Sequence, residues 1–217
     1  MPALLRKALA EFIGTGVFLT AIVGVNFATT PTVLATAVLA TALGLMVLLT
    51  GETSGGHLNP AVTLFFAAKK AISWSTAAVY IVAQILGGIV GGQLGGLIHG
   101  ASVWHINNIS IQNGQVLSEI VATTGLVWLI GYLASRDRGN IIPMVVALWV
   151  FSAANFTNSG ASANPAVTIG RMFVGGNPAV GVEQGFYWIL AEVAGVLIAM
   201  LALMFITPMP AKKKSKK

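Results

Sequence analysis

The chain has 217 residues, 56% hydrophobic and 8% charged, with a mean hydropathy of +0.84; soluble domains carry about 25% charged residues, so this is an integral membrane protein. Its formal charge of +6 falls in short clusters at the edges of apolar segments, which suits membrane topology and makes a nucleic-acid partner unexpected. Cysteine is absent and the three histidines are scattered, so disulfides and thiolate chemistry are excluded and neither a metal site, a cofactor nor an enzyme is expected.

In chain order, the first apolar segment runs over about residues 5–27 and is broken by Glu11, so it reads as a first span and not as a cleaved leader. A second covers about 33–51. Residues 55–63, GGHLNPAVT, follow: Asn59 is a favoured N-cap and Pro60 suits the first turn of a helix, so a helix starts there. Its apolar run ends at Ala68, before Lys69 and Lys70. Such a segment covers about 15 Å, half of a hydrocarbon core of about 30 Å. The third span, about 74–98, carries Gly87-Gly88, Gly91-Gly92 and Gly95-Gly96, a stripe of small residues for close helix packing. A long external segment, 100–114, leads to a fourth span at about 114–134, which contains Glu119, and a fifth at about 140–158. Residues 161–168, ASANPAVT, then repeat the motif: Asn164 caps and Pro165 opens a second half-spanning helix that ends near Phe173. A sixth span covers about 183–206.

The halves, about 1–105 and 106–210, therefore share one plan within a single membrane channel domain, followed by a basic tail at 211–217. Glu11 precedes Asn59 by 48 residues and Glu119 precedes Asn164 by 45; Gln84 follows Asn59 by 25 and Glu192 follows Asn164 by 28. With three spans per half, the second half is inserted upside down. Arg6, Lys7, Lys69, Lys70, Arg136, Arg138 and the lysines of the tail, Lys212 to Lys217, fall on one side of such a layout, which places both termini in the cytoplasm. The expected fold is all-α: six transmembrane helices plus two half-spanning helices in an inverted repeat.

If the two capped helix ends meet at mid-membrane, two positive dipole ends and two Asn amides converge there. That place repels cations and offers hydrogen bonds to a neutral solute, which favours a passive channel. A coupled transporter needs an acid or ion site at the midplane, where this chain has asparagines. A low-conductance structural membrane protein is the other alternative.

Two Asn-Pro-Ala motifs in matching places, Ser54-Gly-Gly-His-Leu-Asn-Pro-Ala-Val-Thr63, and Glu11 with Glu119 at equivalent positions mean that the chain resembles the aquaporin and aquaglyceroporin family, the major intrinsic proteins. The resemblance implies a homotetramer with one pore per subunit, lying in the cell membrane and passing water, glycerol-like polyols or neutral metalloid hydroxides such as arsenite. Asn59 and Asn164 would donate to the solute. Carbonyls of Gly55, Gly56 and His57, and of Gly160, Ala161 and Ser162, would form a polar ladder that Glu11 and Glu119 aim at the pore. The arginine that usually follows the second motif is Val167 here, a feature similar to a bacterial subgroup of aquaglyceroporins associated with arsenic genes. Transferred by spacing, the other filter positions are Ser152, Ala161 and Leu39, so the filter is expected to be wide and uncharged. Arg171 lies one helical turn beyond Val167, where it either sets a positive potential in the outer vestibule or anchors to loop carbonyls and lipid phosphate.

Overall fold

The computed structural model describes residues 1–28, 32–101 and 104–207. Among the described residues, six helices are long and apolar enough to cross a membrane: α1 (Ala3–Phe27), α2 (Thr32–Ser54), α4 (Trp74–Ile98), α5 (Gln115–Ala134), α6 (Ile142–Phe156, preceded by the 3₁₀ turn Gly139–Ile141) and α8 (Val182–Phe205). Between them lie the short helices α3 (Pro60–Ala68) and α7 (Pro165–Arg171). At about 1.5 Å per residue, the nine residues of α3 and the seven of α7 reach only part-way across a bilayer. The expected six-plus-two layout is thus present, with α7 ending two residues before the expected Phe173. The basic tail Lys212 to Lys217 lies outside the described residues.

Equivalent pairs in the two halves make the frame: α1 packs on α4, and α5 on α8. The α1–α4 crossing is close because glycine backbones meet there. A Cβ on Gly87 would strike the carbonyl of Phe12, and one on Gly91 the carbonyl of Gly16. Thr20 Oγ1 fastens the crossing, within 2.9 Å of Gly16 O and 3.0 Å of Gly91 O. The paired glycines serve two neighbours. Gly87, Gly91 and Gly95 face α1, whereas Gly88 faces Ala166 O at 2.7 Å from its would-be Cβ and Gly92 faces Val174, so the second row seats α7. Small residues are what lets a half-helix lie flush against a spanning helix.

The outward faces carry large aliphatic side chains such as Leu49, 71% exposed, and Leu117, 65% exposed. In water such faces would be costly; in hydrocarbon they need no cover. The buried interior holds Phe18, Leu19, Leu43, Val47, Leu126 and Val150, together with the two half-helices.

Gly91→Ala is expected to lower stability in detergent by about 1–3 kcal/mol through overpacking against α1. Gly51→Ala, where a Cβ meets nothing within 4 Å, is the matched control and should stay within about 0.5 kcal/mol of the parent. Thermal melts of the two variants side by side provide the measurement, and equal losses would contradict this account of the crossing.

Candidate functional site

Each half-helix is capped by its own asparagine. Asn59 Oδ1 accepts from Ala61 N at 2.8 Å, and Asn164 Oδ1 accepts from Ala166 N at 3.0 Å and Val167 N at 3.4 Å. The amide nitrogens cross over: Asn59 Nδ2 donates to Ala163 O at 2.7 Å, and Asn164 Nδ2 donates to Leu58 O at 2.8 Å. The result is a reciprocal clasp that holds the two helix N-termini head to head. An amide has two N–H donors, so each asparagine keeps one beyond the clasp.

The loops leading into the half-helices share one backbone course. Gly55, Gly56 and Leu58 have φ of 96°, 61° and 49°; Gly160, Ala161 and Ala163 have 72°, 52° and 46°. For Leu58, Ala161 and Ala163 that conformation is strained by roughly 1–3 kcal/mol each, so something must hold it. Buried carboxylates do. Glu11 accepts from His57 N at 3.0 Å, Leu58 N at 2.6 Å and Ser54 Oγ at 2.5 Å, while Glu119 accepts from Ser162 N at 3.0 Å and Ala163 N at 2.7 Å. Both side chains are fully buried behind the loops. Each charge-assisted bond of this kind contributes about 1.5–3 kcal/mol, enough together to offset the strain.

Two hollows adjoin next to the clasp, whose asparagines line the first of them. An inner cavity of about 60 Å³ is lined by Gly55, Gly56, His57, Asn59 and Asn164 on its polar side and by Val47, Phe66 and Ile142 among others on its apolar side. An outer cavity of about 330 Å³ is lined by Gly160, Ala161, Val167 and Arg171, facing Leu39 and Thr36. Phe18, Val150 and Ser162 border both, so they mark the neck. The wall is apolar with one polar stripe contributed by the two loops. His57 is held in place on the inner side: its ring stacks on Phe66 with centroids 4.8 Å apart, and its Nδ1 lies 3.1 Å from Thr63 Oγ1.

The structure thus brings together nearly all the residues singled out from the sequence. Pro60 and Pro165 open the half-helices as expected and are buried. Ser152 is the exception. It is exposed on α6, its hydroxyl donates to Leu148 O at 2.9 Å, and it borders neither cavity. Two helical positions turn the chain by about 200°, so the cavity face of α6 belongs to Val150 and Val146 instead. Arg171 borders the outer cavity beside Val167, and its Nε donates to Pro178 O at 2.7 Å with the guanidinium 5.5 Å from the Trp188 ring centre. Phe18 and Val150 were not singled out, since an apolar residue lining a cavity has no signature distinct from one in a core.

A hollow on either side of a capped junction, walled by spanning helices, is the anatomy of a six-plus-two membrane channel. This chain belongs to the major intrinsic protein family, whose profile, described as Major intrinsic protein, matches residues 1–158. Aquaglyceroporin AqpS of Rhizobium meliloti (strain 1021) is 35% identical over 221 residues, covering 96% of this chain and 93% of that protein. Aquaporin TIP1-2 of Zea mays is 35% identical over 220 residues, covering 92% and 85%. Among solved structures, the aquaglyceroporin from Plasmodium falciparum superposes with a TM-score of 0.72 at 25% identity, covering 94% of this chain and 98% of that one. The profile match stops before Asn164, so the second half of the likeness rests on these longer alignments and on the geometry.

Replacing Asn59 or Asn164 by Asp removes the donor that crosses the clasp and turns a carboxylate toward a carbonyl oxygen. Either variant is expected to lose about 1–3 kcal/mol of stability and to leak cations, because negative charge replaces an N–H donor beside the two positive helix ends. Melting curves and ion conductance of the reconstituted protein measure the two effects. A well-folded variant with no leak would show that the dipole ends do not control ion entry.

Proposed function

We propose that the protein is a passive channel for water and small uncharged solutes with a wide, uncharged outer filter, open to glycerol-like polyols and to neutral metalloid hydroxides such as arsenite. The observation that carries this reading is the wall of the outer cavity, where Val167 follows the second Asn-Pro-Ala and is joined by Ala161 and Leu39. No large polar or aromatic side chain stands among these three. The polar stripe of loop carbonyls and the free amide hydrogens of Asn59 and Asn164 would replace part of a solute's hydration. Paired half-helix N-termini would oppose cations without closing the path to neutral molecules. Glycerol-sized permeants also agree with the aquaglyceroporin names borne by AqpS and by the Plasmodium falciparum structure. A coupled transporter is disfavoured by the same geometry, since the groups at the junction are amides that do not change charge.

The assembly proposed is a homotetramer in the cell membrane with both termini in the cytoplasm. Support for the orientation comes from the basic residues, which cluster at Arg6 and Lys7, at Lys69 and Lys70, and at Arg136 and Arg138.

Swelling of proteoliposomes in water, glycerol and an ionic control tests the function. If the aliphatic residue at 167 sets the width, Val167→Arg should cut glycerol flux at least about tenfold, equivalent to about 1.4 kcal/mol of added barrier, while reducing water flux far less. Equal reduction of both at matched expression would place the constriction elsewhere. A wild-type channel that swells in neither solute would overturn the channel reading.

A further inference from the structure

The two halves differ at one buried position behind the loops. In the first half Gln84, fully buried on α4, donates from Nε2 to Glu11 Oε2 at 2.7 Å and to Thr63 Oγ1 at 2.9 Å. The equivalent residue in the second half is Glu192, fully buried on α8. Its Oε1 accepts from Asn164 N at 2.9 Å and from Thr168 Oγ1 at 2.9 Å. Its Oε2 meets no donor among the described residues, and the acid beside it is Glu119: Glu119 Oε2 takes the N–H of Ala163 and Glu192 Oε1 that of Asn164, the next residue along the same loop. Two carboxylates have only lone pairs to offer each other, so two buried acids on adjacent loop N–H groups are accommodated by sharing a proton.

We infer that Glu192 is a positioning residue that carries a shared proton: its Oε2–H donates to Glu119 and takes the place that the Gln84 amide holds against Glu11. The site of the proton follows from the bonds already made. Both oxygens of Glu119 accept loop N–H groups and Glu192 Oε1 accepts two donors, which leaves Glu192 Oε2 as the vacant position. Charge balance agrees. The charged side chain of α7 is Arg171, whose guanidinium lies 5.5 Å from the ring centre of Trp188, one turn from Glu192, and a singly protonated pair with one guanidinium sums to zero. On α8 itself the buried residues one turn to either side of Glu192, Trp188 and Val196, are uncharged.

The exchange of Gln for Glu also reverses a relay that ends in the pore. Thr63 Oγ1 accepts from Gln84 and lies 3.1 Å from His57 Nδ1. Thr168 instead gives its hydrogen to Glu192 and must accept from Ser162, 2.6 Å away. Ser162, at the neck, thus spends its hydrogen on Thr168 and is left with oxygen lone pairs, whereas its first-half counterpart is a histidine.

Infrared difference spectra of the reconstituted full-length protein, wild type minus variant, test the shared proton through the C=O stretch of a neutral carboxylic acid. That band is expected in the wild type and lost in Glu192→Gln, because the side-chain amide then supplies the donor while its oxygen keeps the bonds to Asn164 N and Thr168 Oγ1. Its absence from the wild type, or its survival in Glu192→Gln, overturns the inference. A second reading comes from stability. Glu192→Gln should keep the melting temperature, as Gln84 does the same work in the other half, and Glu192→Leu should lower it. Equal losses in the two variants would show that no donor at this position is needed.

Discussion

A backbone N–H buried in a membrane without an acceptor costs several kcal/mol, and a non-helical loop at mid-depth exposes many of them. This protein places two such loops there. What makes them tolerable is a carboxylate from a spanning helix behind each one, Glu11 on α1 and Glu119 on α5, which collects the inward N–H groups and so sets the orientation of those peptides. Everything else is arranged around that orientation. The close α1–α4 crossing fixes the depth of Glu11, the second glycine row of α4 seats α7, and the asparagine clasp locks one loop to the other. An acid in an apolar interior is here the cheapest way to hold a strained backbone in a fixed pose.

The twofold plan is strict in backbone and loose in side chains. Left-handed residues recur at matching places in the two loops, and Ser54 and Ser159 each accept a loop N–H, from Gly56 and Ala161. His57 and Ser162 then stand at equivalent points with different chemistry, as do Gln84 and Glu192. Repetition supplies the scaffold; the exceptions decide what each end of the cavity shows to a solute. Val167 is not among these exceptions: its first-half equivalent, Val62, borders the inner cavity in the same way.

Much of this was legible before any coordinates. Helix number follows from hydropathy, because lipid demands apolar runs of spanning length and punishes anything else. The half-helices follow from Asn before Pro, a local signal that needs no tertiary context. What escaped was rotational phase. The spacing that led to Ser152 was two residues out on α6, and in a helix apolar on nearly every face there is no amphipathic pattern to reveal the error. The glycine stripe was visible as packing, but its division into a row for α1 and a row for α7 depends on where two other helices lie. Likewise the asparagines were read as donors to a solute, and half of that capacity is used across the clasp, a pairing between residues far apart in the chain. Glu192 was seen as a counterpart of Gln84 without a role, because a shared proton is a property of two neighbours and not of either alone.

The clasp also has a bearing on how the protein is made. Its two bonds join residues separated by 104 and 106 positions, and the chain emerges from the ribosome in order. While only the first half is in the bilayer, Leu58 O and Asn59 Nδ2 have no mates, and the glycine row of α4 that will receive α7 is open. The first half is therefore a receptor waiting for the second, with its unmet polar groups gathered at one spot in the hydrocarbon. Arrival of α7 fills the row and the clasp together, so the cavity wall and the final fold are completed in the same event.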